Sequence, residues 1–320
     1  MKRENNLYQQ ICSIENLILA DARAREGKNY RAIRKFDEHW YENIVALHEA
    51  LVNKTYKTSP YRTFEITDPK KRLIFCLPYE DRVIQHAVVN ITGSIWAKVF
   101  TADSYANIKG KGTHKAYNAV RRAMKDEAGT RYAAQLDIRK FYPSIDHEVM
   151  KQIIRRKIKD KDLLELLDGI IDSAEGLPIG NLLSQYFSNL YLAYMDHWIK
   201  ETLKVKYYFR YADDMLLLAA SKEELHEVVG RIRLYLETEL KLQLKPNYQV
   251  FPITEKRGVD FVGYVIWHKY SFIRKRTKKR YSRRLKKGCG IGTKASYNGL
   301  LKHCNSRHLR KKLTTQHEQV

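Results

Sequence analysis

Asp213 and Asp214 stand side by side at the bend between two apolar runs, Phe209–Tyr211 and Met215–Leu218. Runs of this length and composition read as the two strands of a β-hairpin, with the acids at its turn. Two adjacent carboxylates on a tight turn repel each other, so a chain that keeps them gains from a counter-charge. Mg²⁺ supplies one, because it takes oxygen ligands and shares its shell between one or two carboxylates and substrate phosphates. Taken alone, the pair also fits a polar hairpin turn, a position where Asp is common.

A third carboxylate narrows the choice. Arg131–Ile138 reads as a strand that ends in Asp137, followed by Arg139, Lys140, Phe141 and Tyr142. An acid at a strand end, upstream of a strand–Asp-Asp–strand hairpin, supplies the ligands of two-metal phosphoryl transfer. One ion lowers the pKa of an attacking 3′-hydroxyl and the other neutralises the leaving pyrophosphate, the two ions lying roughly 3.5–4 Å apart. Asp137 and Asp213 are the candidates to bridge both ions, with Asp214 beside them. The alternative for Asp137 is a strand-end acid with no chemical role.

Size permits two or three subdomains in 320 residues. The formal charge of +23 is uneven: Lys269–Val320 holds 17 Lys and Arg against one acid, a net of +16 that leaves only +7 for the rest. Such a segment is a free basic tail or a folded module that grips phosphates. Tyr281, Leu285, Tyr297, Leu300 and Leu301 interrupt it with enough apolar surface to favour the folded module, with Arg283, Arg284 and Lys286 as candidate backbone contacts. Four cysteines without paired spacing imply no disulfide framework, and His303, Cys304 and His308 match no recognised zinc pattern. No apolar run reaches the ~18–20 residues of a membrane span and no signal-peptide core is present, so a soluble protein of a reducing, cytoplasmic compartment is expected.

Along the chain, residues 7–55 carry two helical runs, 60–77 reads as extended with a basic turn at Lys70, Lys71 and Arg72, and Tyr79–Phe100 reads as a helix. Ile108–His114 is a Gly- and Lys-rich connection that matches no P-loop. Asn181–Leu203 presents one apolar face behind Pro178 and Gly180, and Ser221–Glu224 forms a capping box ahead of a buried stripe. Strand 131–138, helix 181–203, hairpin 206–219, helix 221–240 and a strand near 259–267 give a βαββαβ plan. The fold expected is α+β, with the three carboxylates on one rim of an antiparallel sheet.

These residues resemble a reverse transcriptase over roughly 60–300. The resemblance rests on five ordered motifs: Arg72 with Pro78–Arg82 and His86, the strand ending in Asp137, the loop Gly176–Asn181, Tyr211–Asp214, and Gly258–Tyr264. It implies a right-hand polymerase of fingers, palm and thumb: 1–59 an N-terminal helical extension, 60–130 fingers, 131–268 a ferredoxin-like palm with an insertion near 147–180, and 269–320 a basic helical thumb. It implies two Mg²⁺ ions, with Mn²⁺ as a substitute, held by Asp137, Asp213, Asp214 and the carbonyl of Ile138. Lys71 and Arg72, Arg139 to Tyr142, Ile179, Gly180 and Gln185 would line the nucleotide site, with Tyr142 excluding a 2′-hydroxyl. Lys245 would protonate pyrophosphate, although Leu244–Tyr248 departs from the usual pattern. Tyr211, Phe261, Gly263 and Tyr264 would hold primer and template. For Lys71 and Arg72 the alternative is a solvated basic turn; for Tyr142, Phe261 and Tyr264 it is ordinary core.

The loop Ile179–Gln185 is similar to that of reverse transcriptases from diversity-generating retroelements of bacteria and phages. Those enzymes copy a template-repeat RNA into cDNA mutagenised at adenines, from dNTPs and a DNA or RNA primer, with a basic accessory variability determinant. Group II intron-like, retron and antiphage reverse transcriptases remain alternatives, as do an inactive RNA-binding scaffold and a two-metal nuclease. An aliphatic Ile179 makes no hydrogen bond where a polar amide would, a difference of about 0.5–1.5 kcal/mol, or ~2–10-fold in nucleotide discrimination. Ile179 is therefore expected to loosen selection, alongside Arg72; its alternative is simple packing of the loop.

Overall fold

The computed structural model describes residues 3–67 and 71–315, with side chains described as far as 311; Lys70 lies outside the described residues. Four helices open the chain: α1 (Tyr8–Cys12), α2 (Ile14–Arg25), α3 (Arg31–Asp37) and α4 (Trp40–Val52). Two longer runs were expected here. Ser13 breaks the first, because its hydroxyl caps α2 by accepting from the Asn16 N–H at 3.2 Å. Gly27 follows the end of α2 at φ 67°, a conformation that glycine adopts without strain.

Strands β1 (Arg62–Ile66) and β2 (Arg72–Cys76) form an antiparallel hairpin ahead of α5 (Tyr79–Ala97). Then come α6 (Thr113–Ala123), β3 (Tyr132–Asp137), α7 (His147–Arg155), α8 (Lys161–Ile171) and α9 (Leu182–His197). Asp146 and Asp160 cap α7 and α8 by accepting from the N–H groups of Val149 and Leu163. A π-helical turn at Trp198–Thr202 ends the long helix expected over 181–203. The remaining elements are β4 (Tyr207–Tyr211), β5 (Asp214–Ala219), α10 (Lys222–Glu239), β6 (Gln249–Pro252), β7 (Val259–Phe261), β8 (Tyr264–Ile266), β9 (Ser271–Ile273), α11 (Lys275–Lys286), α12 (Ile291–Leu301) and α13 (Arg307–Thr315). The capping box before α10 is present in part, as Ser221 Oγ accepts from the Glu224 N–H at 3.2 Å.

Two compact units interleave along the chain. The first comprises Met1–Thr101, Ile138–Trp198 and Leu234–Gln243. Its core forms where α5 packs against α2 and α9: Leu17, Ala20, Val83, Ala87 and Val88 are buried, and fully buried Trp96 sits 5.8 Å from the Phe187 ring. Asp160 also accepts from the N–H groups of Leu7 and Tyr8, fastening the start of α1 to the α8 cap.

The second unit comprises Ala102–Asp137, Ile199–Arg233 and Leu244–Val320. Its four-stranded sheet has the order β4-β5-β3-β6, every pair antiparallel. Met215–Ala219 of β5 are all buried, which is why this strand reads as a continuous apolar run rather than an alternating one. The fourth strand of this sheet is β6, not the 259–267 segment expected from sequence. That segment forms β7 and β8 of a separate three-stranded sheet completed by β9. Both stretches satisfy the local pattern of a short strand, and only pairing with β3 distinguishes them. On the inner face of the second sheet Tyr264 packs 4.3 Å from Tyr117 of α6 and donates to the Leu300 carbonyl of α12. Tyr281 of α11 stacks on Tyr297 of α12 at 4.2 Å, leaving the cationic face of α11 exposed.

Candidate active site

The β4–β5 hairpin closes through two residues, Ala212 and Asp213, between the paired Tyr211 and Asp214. Ala212 adopts φ 56°, a conformation costing a non-glycine residue roughly 1–2 kcal/mol. The fully buried Arg210 guanidinium donates to the Ala212 carbonyl at 3.0 Å. A hydrogen bond from a charged group contributes about 1.5–3 kcal/mol, enough to offset that strain. Main-chain bonds from Arg210 to Asp103 and from Tyr105 to Arg210 hold β4 from its other side. The turn that presents Asp213 is thus tied down at its carbonyl and along its strand.

Register brings the third acid in. Asp137 at the end of β3 lies directly opposite Asp214 at the start of β5. Directly opposed residues of an antiparallel pair point to the same face, with Cβ atoms about 4.5–5.5 Å apart. Asp214 is pushed up to about 7 from the usual carboxylate range, first by burial and then by the charges of Asp137 and Asp213; Arg274 opposes this and Asp260 adds to it. Asp137 Oδ2 pairs with the Lys245 ammonium at 2.6 Å, while Oδ1 is buried without a hydrogen-bond partner. An orphaned carboxylate oxygen beside a carboxyl raised by its neighbours is a cluster short of positive charge. That donor set fits a hard divalent cation. Among the described residues, no three His, Cys, Asp or Glu side chains form a set able to hold an ion unaided. The expected trio is therefore an opposed pair plus a turn residue, with no ready-made cage.

Lys245, expected to act on pyrophosphate, stands on Asp137 itself, and its main-chain N–H also donates to the Asp137 carbonyl at 2.8 Å. Phe261 and Tyr264, expected to touch primer, have fully buried side chains. The period-two alternation of β7 and β8 turns both inward, so of the hairpin residues expected to hold primer, Gly263 in the turn is the one whose position is not buried. Tyr211 is half-buried, with its hydroxyl 3.3 Å from Thr113 Oγ1. Arg283, Arg284 and Lys286 are exposed on α11.

Within the first unit, the residues expected around the nucleotide fall on three neighbouring elements. Lys71 precedes β2 and Arg72 opens it, both exposed, with Lys71 pairing with Glu65 at 3.0 Å. The Phe75 N–H of β2 donates to the Ile179 carbonyl at 2.8 Å, and Gly180 at φ 120° brings its backbone so close that a Cβ would lie 2.8 Å from the Phe75 carbonyl oxygen. No other residue fits there without moving β2. Tyr142 joins the loop from its other side: its carbonyl accepts from the Leu177 N–H at 2.8 Å and its hydroxyl meets Ser188 Oγ at 3.2 Å. Gln185 lies in the first turn of α9, and its carbonyl accepts from Ser188 Oγ. Arg139 and Lys140 are exposed, the latter at φ 45°, whereas Phe141 and Ile138 are buried and contribute side chains to the core. Sequence reasoning missed Arg210: a charged residue inside an apolar run was the signal, and burial at a strained turn is what gives it meaning.

The sheet order and the opposed acids at the rim of its central strands define the palm of a right-hand nucleic-acid polymerase. The family model for reverse transcriptase (RNA-dependent DNA polymerase) matches residues 64–266, more than half of the chain, and the chain belongs to the reverse transcriptase family. Members of this family generally use divalent metal ions. Among curated relatives, protein YkfC of Escherichia coli (strain K12) is 24% identical over 275 residues, 71% of this chain and 72% of that protein. The group II intron-encoded protein LtrA of Lactococcus lactis subsp. cremoris is 28% identical over 225 residues, 65% of this chain but 36% of LtrA, so the chain spans about a third of that relative's length. In solved structures, the fold resembles telomerase from Candida albicans in complex with a TWJ fragment of telomeric RNA, with a TM-score of 0.50, 10% identity and coverage of 77% of this chain and 55% of that one. Apo telomerase from Candida tropicalis gives a TM-score of 0.50 at 12% identity, covering 75% of this chain and 54% of the other.

Proposed function

We propose that this chain copies a template RNA into cDNA by attack of a primer 3′-hydroxyl on the α-phosphate of a dNTP. The observation that carries this reading is the register of Asp137 against Asp214, with Asp213 fixed in the adjoining turn. Asp137, Asp213 and Asp214 would hold two Mg²⁺ ions, which supply charge neutralisation at the reacting phosphate when bound. The chain's own part is positioning. Arg210 holds the turn, β3–β5 pairing holds Asp137 and Asp214 on one face, and Arg72, Tyr142 and the Ile179–Gly180 loop would receive the incoming nucleotide. Lys245 would keep Asp137 neutralised until a metal arrives. The exposed cations of α11 would grip template and primer backbone as a thumb.

Within the family we assign the chain to the diversity-generating kind, acting on a template-repeat RNA with a basic accessory protein and misincorporating opposite adenine. The support is the aliphatic Ile179 beside Gly180 in the loop before α9. The similarity to LtrA favours a second reading, a compact group II intron-like reverse transcriptase. Primer extension on RNA with Mg²⁺ tests the activity: the wild type extends and Asp213→Asn does not. Two inert proteins, with cognate RNA and partner supplied, would leave a binding scaffold. Sequencing the cDNA separates the two finer readings, since substitutions clustered opposite adenine are expected only of the diversity-generating kind.

A further inference from the structure

The outer face of the β7–β8–β9 sheet carries an aromatic row that neither catalysis nor the core accounts for. Strand alternation sends Tyr264, Ile266, Ser271 and Ile273 inward, so Val265 and its cross-strand partner Phe272 point outward. Trp267 and Tyr270, joined by a main-chain bond at the hairpin end, continue the same face. Trp267 stacks on Tyr270 with ring centroids 5.0 Å apart, and Phe272 lies 5.5 Å from Tyr270 while 46% exposed. The indole is held in place. Its Nε1–H donates to the Thr254 carbonyl at 3.0 Å, and it lies so close to Gly258 that a Cβ there would come within 2.6 Å of the ring.

The rim is cationic. Lys269 projects at the hairpin end, and Lys256 and Arg257 are exposed on the turn that holds the indole, beside Glu255; Asp260, opposite Val265 on the same face, is paired with Arg274 at 2.6 Å. Arg121 donates to the carbonyls of Trp267 and His268. A held aromatic row, exposed at Phe272 and half-exposed at Trp267 and Tyr270, within a cationic rim suits unpaired nucleobases, which stack on the rings while the cations meet the phosphates. A protein partner would also meet a polar rim, but it would need complementary acidic charge there, which nucleic acid carries at every phosphate.

We infer that Trp267, Tyr270 and Phe272 form a stacking platform for single-stranded nucleic acid, separate from the carboxylate site. His268, at the same hairpin end, bonds Thr130 just before β3, whereas Asp137 closes that strand. At about 3.3 Å per residue the hairpin end with Trp267 and Tyr270 lies on the order of 20 Å from Asp137, whereas Phe272 stands in the row of Val265 and Asp260, nearer the acids. The hairpin end is thus also distinct from the Val262–Gly263 turn at the other end of β8. An unpaired stretch of the strand being handled would be held here.

Fluorescence anisotropy with a labelled 12-mer of single-stranded RNA, and with a blunt duplex of equal length, tests the assignment. Phe272→Ala and Tyr270→Ala are each expected to weaken single-strand binding about fivefold or more and duplex binding less than twofold. Phe272→Tyr should bind like the wild type. Phe272→Leu keeps the apolar cover but loses the ring, and should bind like the alanine variant. Leucine binding at wild-type strength, or equal losses on both probes, would overturn the platform. Because Phe272 is exposed, melting curves of its variants should match the wild type, and the readout does not depend on polymerase activity.

Discussion

Asp137 and Asp214 sit directly opposite each other across the β3–β5 ladder, two carboxylates in the one arrangement where cross-strand repulsion is strongest. Lys245 at 2.6 Å from Asp137 and Arg274 near Asp214 only partly relieve it, since Asp214 remains raised to about 7. The cluster stores unfavourable charge that a divalent ion would remove. Mg²⁺ titration followed by thermal melting should therefore stabilise the wild type progressively. Asp214→Asn should melt higher than the wild type without metal and show a smaller Mg²⁺ response. A variant that melts lower in chelator would mean the acids are not crowded.

Arg210 and Ala212 form a second coupled pair, a buried cation holding the carbonyl of a strained turn. Arg210→Met should destabilise by about 3 kcal/mol, because buried polar groups lose their charged partner. Ala212→Gly removes the side chain that opposes φ 56° and should stabilise by up to ~1 kcal/mol. Urea denaturation reads both, and an unchanged midpoint for Arg210→Met would show that the turn holds without its anchor.

Ile179 can be exchanged without disturbing its loop, since its carbonyl, not its side chain, is the group bonded to Phe75. Ile179→Gln is expected to lower misincorporation opposite template adenine by ~2–10-fold, the range that one added hydrogen bond supplies. Unaltered error rates in sequenced cDNA would remove this residue from the explanation of infidelity.

His86 of α5 is lowered to about 4 by burial first and by Lys28 and Arg23 second. Its folded-state value lies below the unfolded one near 6.5, so the unfolded chain binds the extra proton between these values. Stability from this group is present above pH 6.5 and is lost as pH falls toward 4. Denaturation midpoints across that window should drop for the wild type and drop less for His86→Gln.

Arg283 and Arg284 lie exposed on α11, where a side chain can reach phosphate without serving the core. Changing either to Ala should reduce the slope of log affinity against log salt by about one and weaken binding uniformly across sequences. An unchanged slope would move the phosphate grip elsewhere.

Much of this was legible in the chain itself, and the reason is local. The short continuous apolar runs around Asp213–Asp214 and the Ser221 cap before α10 depend on residues a few positions apart, so the hairpin and that helix were readable directly. The basic helical character of Lys275–Lys286 followed from composition in the same way. Long-range pairing was not. Gln249–Pro252 and Val259–Ile266 both satisfy a strand pattern, and only hydrogen bonds to β3 made the first the palm's fourth strand. The inward turn of Phe261 and Tyr264, the placement of Lys245 on Asp137, and the burial of Arg210 depend on which elements meet in space. The chain alone determined which acids it carries and the hairpin that bears two of them. The tertiary structure alone set Asp137 across from Asp214, because a one-residue slip of β3 would have turned Asp137 to the opposite face of the sheet.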